Sequence, residues 1–97
     1  MRWPVRSDYR DHYVFGGEEW DLEFKRIVTD SDGNPCHGTA DYQKNLIEIE
    51  RTTDDKSRLS TFIHELIHII EPDLPEHQVR KLEEGIMDFL ESNFIDE

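Results

Sequence analysis

The chain has 97 residues, 35% of them hydrophobic and 35% charged, with a formal net charge of −12. That length makes a single domain (1–97) around one core, without room for separate catalytic and regulatory domains, and the acidic balance disfavours nucleic acid and anionic membrane as direct partners. One cysteine, Cys36, excludes an internal disulfide and fits a reducing cytosol, so a cytoplasmic location is expected.

Residues 1–11 show no clear period, contain Pro4 and carry charges of both signs, which predicts an extended or poorly ordered arm and shows no secretory signal. No apolar run approaches the ~20 residues of a membrane crossing. His12 to Phe15, then Gly16-Gly17, then Glu18 to Ile27 reads as strand, tight turn, strand. Trp20, Leu22 and Phe24 alternate with Asp21, Glu23 and Lys25, the period-two signature of a sheet with one buried face and one wet face. Thr29 to Pro35 is a run of turn formers. Its Asp30-Ser31-Asp32-Gly33 is similar to the start of a calcium loop, but the acid at the twelfth position and the flanking helices are missing, so it reads as a surface turn. Cys36 to Tyr42 and Leu46 to Arg51 read as further strands joined by a turn at Gln43 to Asn45. Cys36 and His37 carry no ligand spacing and are read as ordinary residues of that region.

A helix is expected from about residue 54, with Thr52 to Asp55 supplying an N-cap and first-turn acids, to Glu71, where Pro72 stops it. At about 100° per residue, Leu59, Ile63, Leu66, Ile67 and Ile70 share one side, Phe62 and Ile69 widen it, and His64 and His68 point away. Imidazoles and a carboxylate beside so apolar a stripe need a partner. His64-Glu65-Leu66-Ile67-His68 is His-Glu-x-x-His: two histidines one turn apart suit two corners of a tetrahedral Zn²⁺ site, and Glu65 falls beside them within reach of a water at the metal. A second helix follows from Asp73-Leu74-Pro75-Glu76, where Asp73 and Glu76 can form a capping box, to about Asn93. Its apolar face reads as Val79, Leu82, Ile86, Phe89 and Leu90, the short link makes it antiparallel to the first helix, and Gly85 suggests close backbone packing.

The order strands, His-Glu-x-x-His helix, second helix resembles the small bacterial and phage-encoded zincin metallopeptidases related to the ImmA/IrrE family. The residues that carry the resemblance are Gly38-Thr39-Ala40-Asp41-Tyr42 to Ile47-Glu48-Ile49, Thr61 to His68, and Glu76 with Val79 and Leu82, over roughly the last two thirds of the chain. The resemblance implies an α+β zincin-like fold, a short antiparallel sheet of three or four strands followed by the two helices. It also implies zinc-dependent hydrolysis of peptide bonds, with Glu76 as the third metal ligand beside His64 and His68. The chain departs from the family in having Val79-Arg80 where relatives carry Ala-Asn, and in a shorter link between the helices. Glu71, on the same helix side as the histidines, Glu83, on the inward side of the second helix, and His77 remain alternative ligands.

With three protein ligands, a zinc-activated water is expected to attack the peptide carbonyl of a protein or peptide substrate, with Glu65 as the base. Tyr42, His37 and His77 are candidate oxyanion donors, strand 46–50 is a candidate site for strand addition by an extended peptide, and the acidic surface favours a basic or neutral polypeptide. Two other readings stand beside the peptidase: a zinc-binding regulatory or interaction module with little turnover, and a deformylase-like amidase, whose upstream cysteine motif is not visible.

Overall fold

The computed structural model describes residues 12–51 and 54–93, so the arm expected at 1–11 lies outside the described residues. Strand β1 (His12–Phe15) and strand β2 (Glu18–Lys25) form an antiparallel hairpin with Phe15 opposite Glu18. Its two-residue turn puts Gly16 at φ 60° and Gly17 at φ 81°, the left-handed conformation that matches the twist of two strands and that glycine adopts at least cost. Short strands β3 (Val28–Thr29) and β4 (Pro35–Cys36) form a separate antiparallel ribbon. The loop joining them is the expected surface turn: the Asp30 carboxylate accepts hydrogen bonds from the backbone N–H groups of Asp32 and Asn34, both at 2.9 Å.

Strand β5 (Gly38–Asp41) pairs antiparallel with strand β6 (Leu46–Glu50), and β6 pairs parallel with β2, which gives the four-stranded order β1-β2-β6-β5. The sheet is therefore mixed, which corrects the expectation of an antiparallel one. The parallel pair is possible because β3, β4 and β5 supply the long connection that parallel strands need. Residues directly opposite one another share a face, so Trp20, Leu22, Ile47, Ile49 and Gly38 look to one side, where Trp20, Leu22, Ile47 and Ile49 form the buried core. The opposite face carries Glu23, Lys25 and Glu48, and Lys25 pairs with both acids.

Helix α1 (Asp55–Ile70) lies on the core face, with Phe62, Leu66 and Ile69 packed against that cluster. Asp54 caps it by accepting from the Ser57 N–H at 2.7 Å, and it ends at Glu71, before Pro72. Helix α2 (Glu76–Asn93) begins at Glu76, with the Pro75 carbonyl accepting from the Gln78 and Val79 N–H groups. Glu76 is thus the first helical residue and not the fourth residue of a capping box opened by Asp73. Lys56 pairs with Glu91, Ser60 bonds to Glu83, and His68 meets Glu76, so the helices run antiparallel as expected.

Of the expected apolar face of α2, Val79 is buried and Leu90 half-buried, whereas Leu82, Ile86 and Phe89 are 48%, 41% and 57% exposed; Met87 is buried in their place, with Glu83 half-buried between it and Val79. The expected apolar face is rotated by roughly one residue position, because Glu83 turns inward to meet Ser60 and His64. Gly85 has open space where a Cβ would stand, so it is not the site of close packing. The close approach is at Gly38: a Cβ there would stand 2.5 Å from Thr61 Cγ2 and 3.2 Å from the Glu48 carbonyl oxygen. Among the described residues no helix is long and apolar enough to cross a membrane.

Candidate metal centre

Helical periodicity sets His64 and His68 on one side of α1 one turn apart, their rings 4.8 Å apart between centroids. Their Nε2 atoms converge to 3.2 Å. The carboxylate of Glu76, at the first position of α2, spans the pair, with Oε1 2.7 Å from His64 Nε2 and Oε2 3.0 Å from His68 Nε2. The short turn between the helices brings this about, since it returns the start of α2 to the last turns of α1. These three residues offer ligand atoms that all lie within 4.8 Å of one another. Among the described residues, Glu71, Glu83 and His77 stand outside that group. Glu71 is at the exposed cap of α1 and His77 is exposed on α2.

The donor set fits zinc. Zinc takes imidazole nitrogens and carboxylates as ligands, and bonds of about 2.0–2.1 Å to a tetrahedral ion place neighbouring donor atoms about 3.3 Å apart; the two Nε2 atoms are 3.2 Å apart, and each lies nearer, at 2.7 and 3.0 Å, to a different oxygen of Glu76.

Glu83 lies behind this group. Its Oε1 is 2.6 Å from His64 Nδ1, the nitrogen turned away from Glu76, and its Oε2 accepts from the Ser60 hydroxyl. A carboxylate that takes the Nδ1 proton bond fixes the ring and leaves Nε2 as the ligand atom. The backbone carbonyl of His68 accepts a hydrogen bond from the Tyr42 hydroxyl at 2.7 Å, which ties the β5–β6 turn to the end of the histidine helix. That bond occupies Tyr42, one of the expected oxyanion donors.

Glu65 is buried, 8% exposed, between α1 and β5, where its Cγ is 3.6 Å from the position of a Gly38 Cβ. Burial pushes its carboxyl up to about 7; His64 opposes the shift, and the charges of Glu76 and Glu83 add to it. An open cavity of about 430 Å³ is lined by His64 and Glu65 of α1, with Cys36, His37 and Gly38 in one wall and Glu76, Arg80, Glu83 and Glu84 of α2 in the other; His68 does not line it. Cys36 and His37 reach this wall because Gly38 lets the strand approach the helix. Arg80 is a cavity residue that the sequence marked only as a departure from the resembled family, with no role attached; its position one turn after Glu76 is the signal that points to it.

Strand β5 is the last strand of the four-stranded sheet on the side of this cavity, with β3 packed near it. The His37 carbonyl accepts from the Glu50 N–H at 2.8 Å. By the alternation of antiparallel pairs, Thr39 and Asp41 also bond to β6, and the backbone groups of Gly38 and Ala40 face outward. On that side the Gly38 carbonyl accepts from the Cys36 thiol at 3.5 Å. Strand β6 is enclosed between β2 and β5, and a strand paired on both sides has no free groups to offer, which corrects the expectation that residues 46–50 receive an extended peptide.

No family model matches the chain, and no curated protein or solved structure matches it.

Proposed function

We propose that this protein is a zinc-dependent peptidase of the zincin type that hydrolyses a peptide bond in a protein or peptide partner laid along β5. The observation that carries this reading is the convergence of His64 Nε2, His68 Nε2 and the Glu76 carboxylate within 4.8 Å beside the buried Glu65. Zinc held by these three residues would supply a Lewis acid for the scissile carbonyl and lower the pKa of water towards ~7.

The remaining roles belong to the chain. Glu65 is the proton carrier: a buried carboxylate next to His64 in the cavity is placed to accept a proton from water and return it to the leaving amine. Glu83 holds the His64 ring with Nε2 inward. The outward backbone groups of Gly38 and Ala40 align an extended chain by strand addition next to Glu65. With Glu84 at the wall and a net charge of −12, a basic or neutral polypeptide is the favoured substrate.

A second reading, a zinc-binding interaction module with little turnover, draws support from the exposed apolar row Leu82, Ile86 and Phe89 on α2. The two separate on Glu65. A mixture of unstructured basic and neutral peptides is incubated with zinc-loaded wild type and with Glu65→Gln, and the products are read by mass spectrometry. Chelator-sensitive cleavage by the wild type alone supports the peptidase. Metal-loaded wild type that cleaves no more than Glu65→Gln supports the module.

A further inference from the structure

Peptide hydrolysis at this site needs a group to meet the oxygen of the scissile carbonyl as it gains charge, and the expected donors are poorly placed. The Tyr42 hydroxyl is engaged with the His68 carbonyl, and His77 does not line the cavity. His37 lines it from the β5 side, along which the substrate would lie, and is charged only when protonated. Arg80 remains. It stands in the α2 wall, opposite the β5 wall along which the substrate would lie, one helical turn after Glu76. Among the residues that line the cavity it is the one with a permanent positive charge.

Its contact with Glu76 does not account for it. Arg80 Nε is 3.7 Å from Glu76 Oε1, too long for a hydrogen bond, and the side chain is 70% exposed. Were Glu76 to hold a dication, its charge would be compensated, and the Arg80 guanidinium would be left to meet a further anionic partner. An oxyanion formed next to the metal is such a partner, and the planar guanidinium presents several N–H donors to it.

Resting on the peptidase reading above, we propose that Arg80 is a catalytic residue whose guanidinium donates to the oxygen of the scissile carbonyl as it becomes an oxyanion. The water oxygen bonds to the carbonyl carbon, and the π pair moves onto the carbonyl oxygen, where Arg80 meets it. When the pair returns, the C–N bond breaks, and the proton that Glu65 took from the water goes to the amine. Removing one such donor lowers kcat by about 10²-fold or more and leaves KM little changed.

The test includes a readout that needs no turnover. Wild type, Arg80→Ala and Arg80→Lys are loaded with Co²⁺ and titrated with inorganic phosphate, a tetrahedral anion, while the d–d absorption is followed. Zinc affinity of each is measured by competition with a chromophoric chelator, and circular dichroism checks the fold. Arg80→Ala is expected to weaken phosphate binding about tenfold to a hundredfold, Arg80→Lys less, with zinc affinity unchanged within about threefold. Equal phosphate binding in all three proteins overturns the proposal, as does phosphate that fails to bind the loaded wild type. A fall in zinc affinity matching the fall in phosphate affinity also overturns it, because Arg80 would then act by orienting Glu76. A wild type that takes up neither metal overturns the metal reading at the loading step, before Arg80 is in question, and the oxyanion role falls with it.

Discussion

The Glu83 carboxylate stands 2.6 Å from His64 Nδ1, on the side of the ring opposite Glu76. This one contact joins the two helices and selects which nitrogen of His64 faces the donor group. Glu83→Ala is therefore expected to weaken zinc binding by about 10–100-fold, and Glu83→Gln, whose amide oxygen still accepts from Nδ1–H, by less. Chelator competition measures both. Unchanged zinc affinity in Glu83→Ala would reduce the contact to a helix–helix hydrogen bond.

Gly38 lets β5 approach α1 beside Glu65. Gly38→Ala is expected to cost about 1–3 kcal/mol through overpacking against Thr61 Cγ2. Thr61→Ser, which removes that methyl, should recover part of the loss, with a coupling of at least about 0.5 kcal/mol in the double-mutant cycle from denaturant melts. Strict additivity would show that the strand has room for a side chain.

In metal-free protein the Glu65 carboxyl titrates near 7 in the folded state, raised by burial from its ordinary value of 4.5. Between those values the folded state binds more protons at this residue than the unfolded chain does, so its contribution to stability falls as pH rises from about 4.5 to about 7 and levels off above. Other acids also titrate, so the readable quantity is the difference from Glu65→Gln. Chelator-treated wild type should lose stability relative to Glu65→Gln across that window in denaturant melts. A constant difference would mean that the Glu65 carboxyl is not held protonated by burial.

Much of the site helix was legible in the sequence because its signals are local: Asp54 caps it, Pro72 stops it, and His64, Glu65 and His68 follow from helical periodicity alone. The parallel pairing of β2 with β6 was not legible, since it joins strands more than twenty residues apart and leaves no local pattern. The place of β5 at the end of the sheet was hidden for the same reason: strand order is a tertiary fact. On α2 the apolar residues fit two overlapping stripes, and the choice fell to Glu83, whose inward turn rests on partners in another helix. Gly85 drew attention by lying inside a helix, while Gly38, the glycine the packing requires, carried no packing signal in its strand.

The stripe chosen on α2 predicts a contrast in stability. Val79, fully buried, should cost about 2 kcal/mol on Val79→Ala, from two lost methyl groups and the cavity they leave. Leu82→Ala, on the exposed side, should stay within about 0.5 kcal/mol of wild type. A loss in Leu82→Ala as large as that in Val79→Ala, read in thermal or denaturant melts, would place the expected apolar face, and not Glu83, against the first helix.

Metal content decides most directly whether His64, His68 and Glu76 form a zinc site. Wild type, His64→Ala, His68→Ala, Glu76→Ala and Glu65→Gln, each dialysed against limiting zinc and checked for folding, are assayed for bound metal by mass spectrometry. About one zinc per chain is expected in wild type and in Glu65→Gln, with marked loss in both histidine variants and in Glu76→Ala. Zinc retained in a folded Glu76→Ala at the wild-type ratio, or lost from Glu65→Gln as completely as from His64→Ala, would contradict the assignment of three ligands and one base.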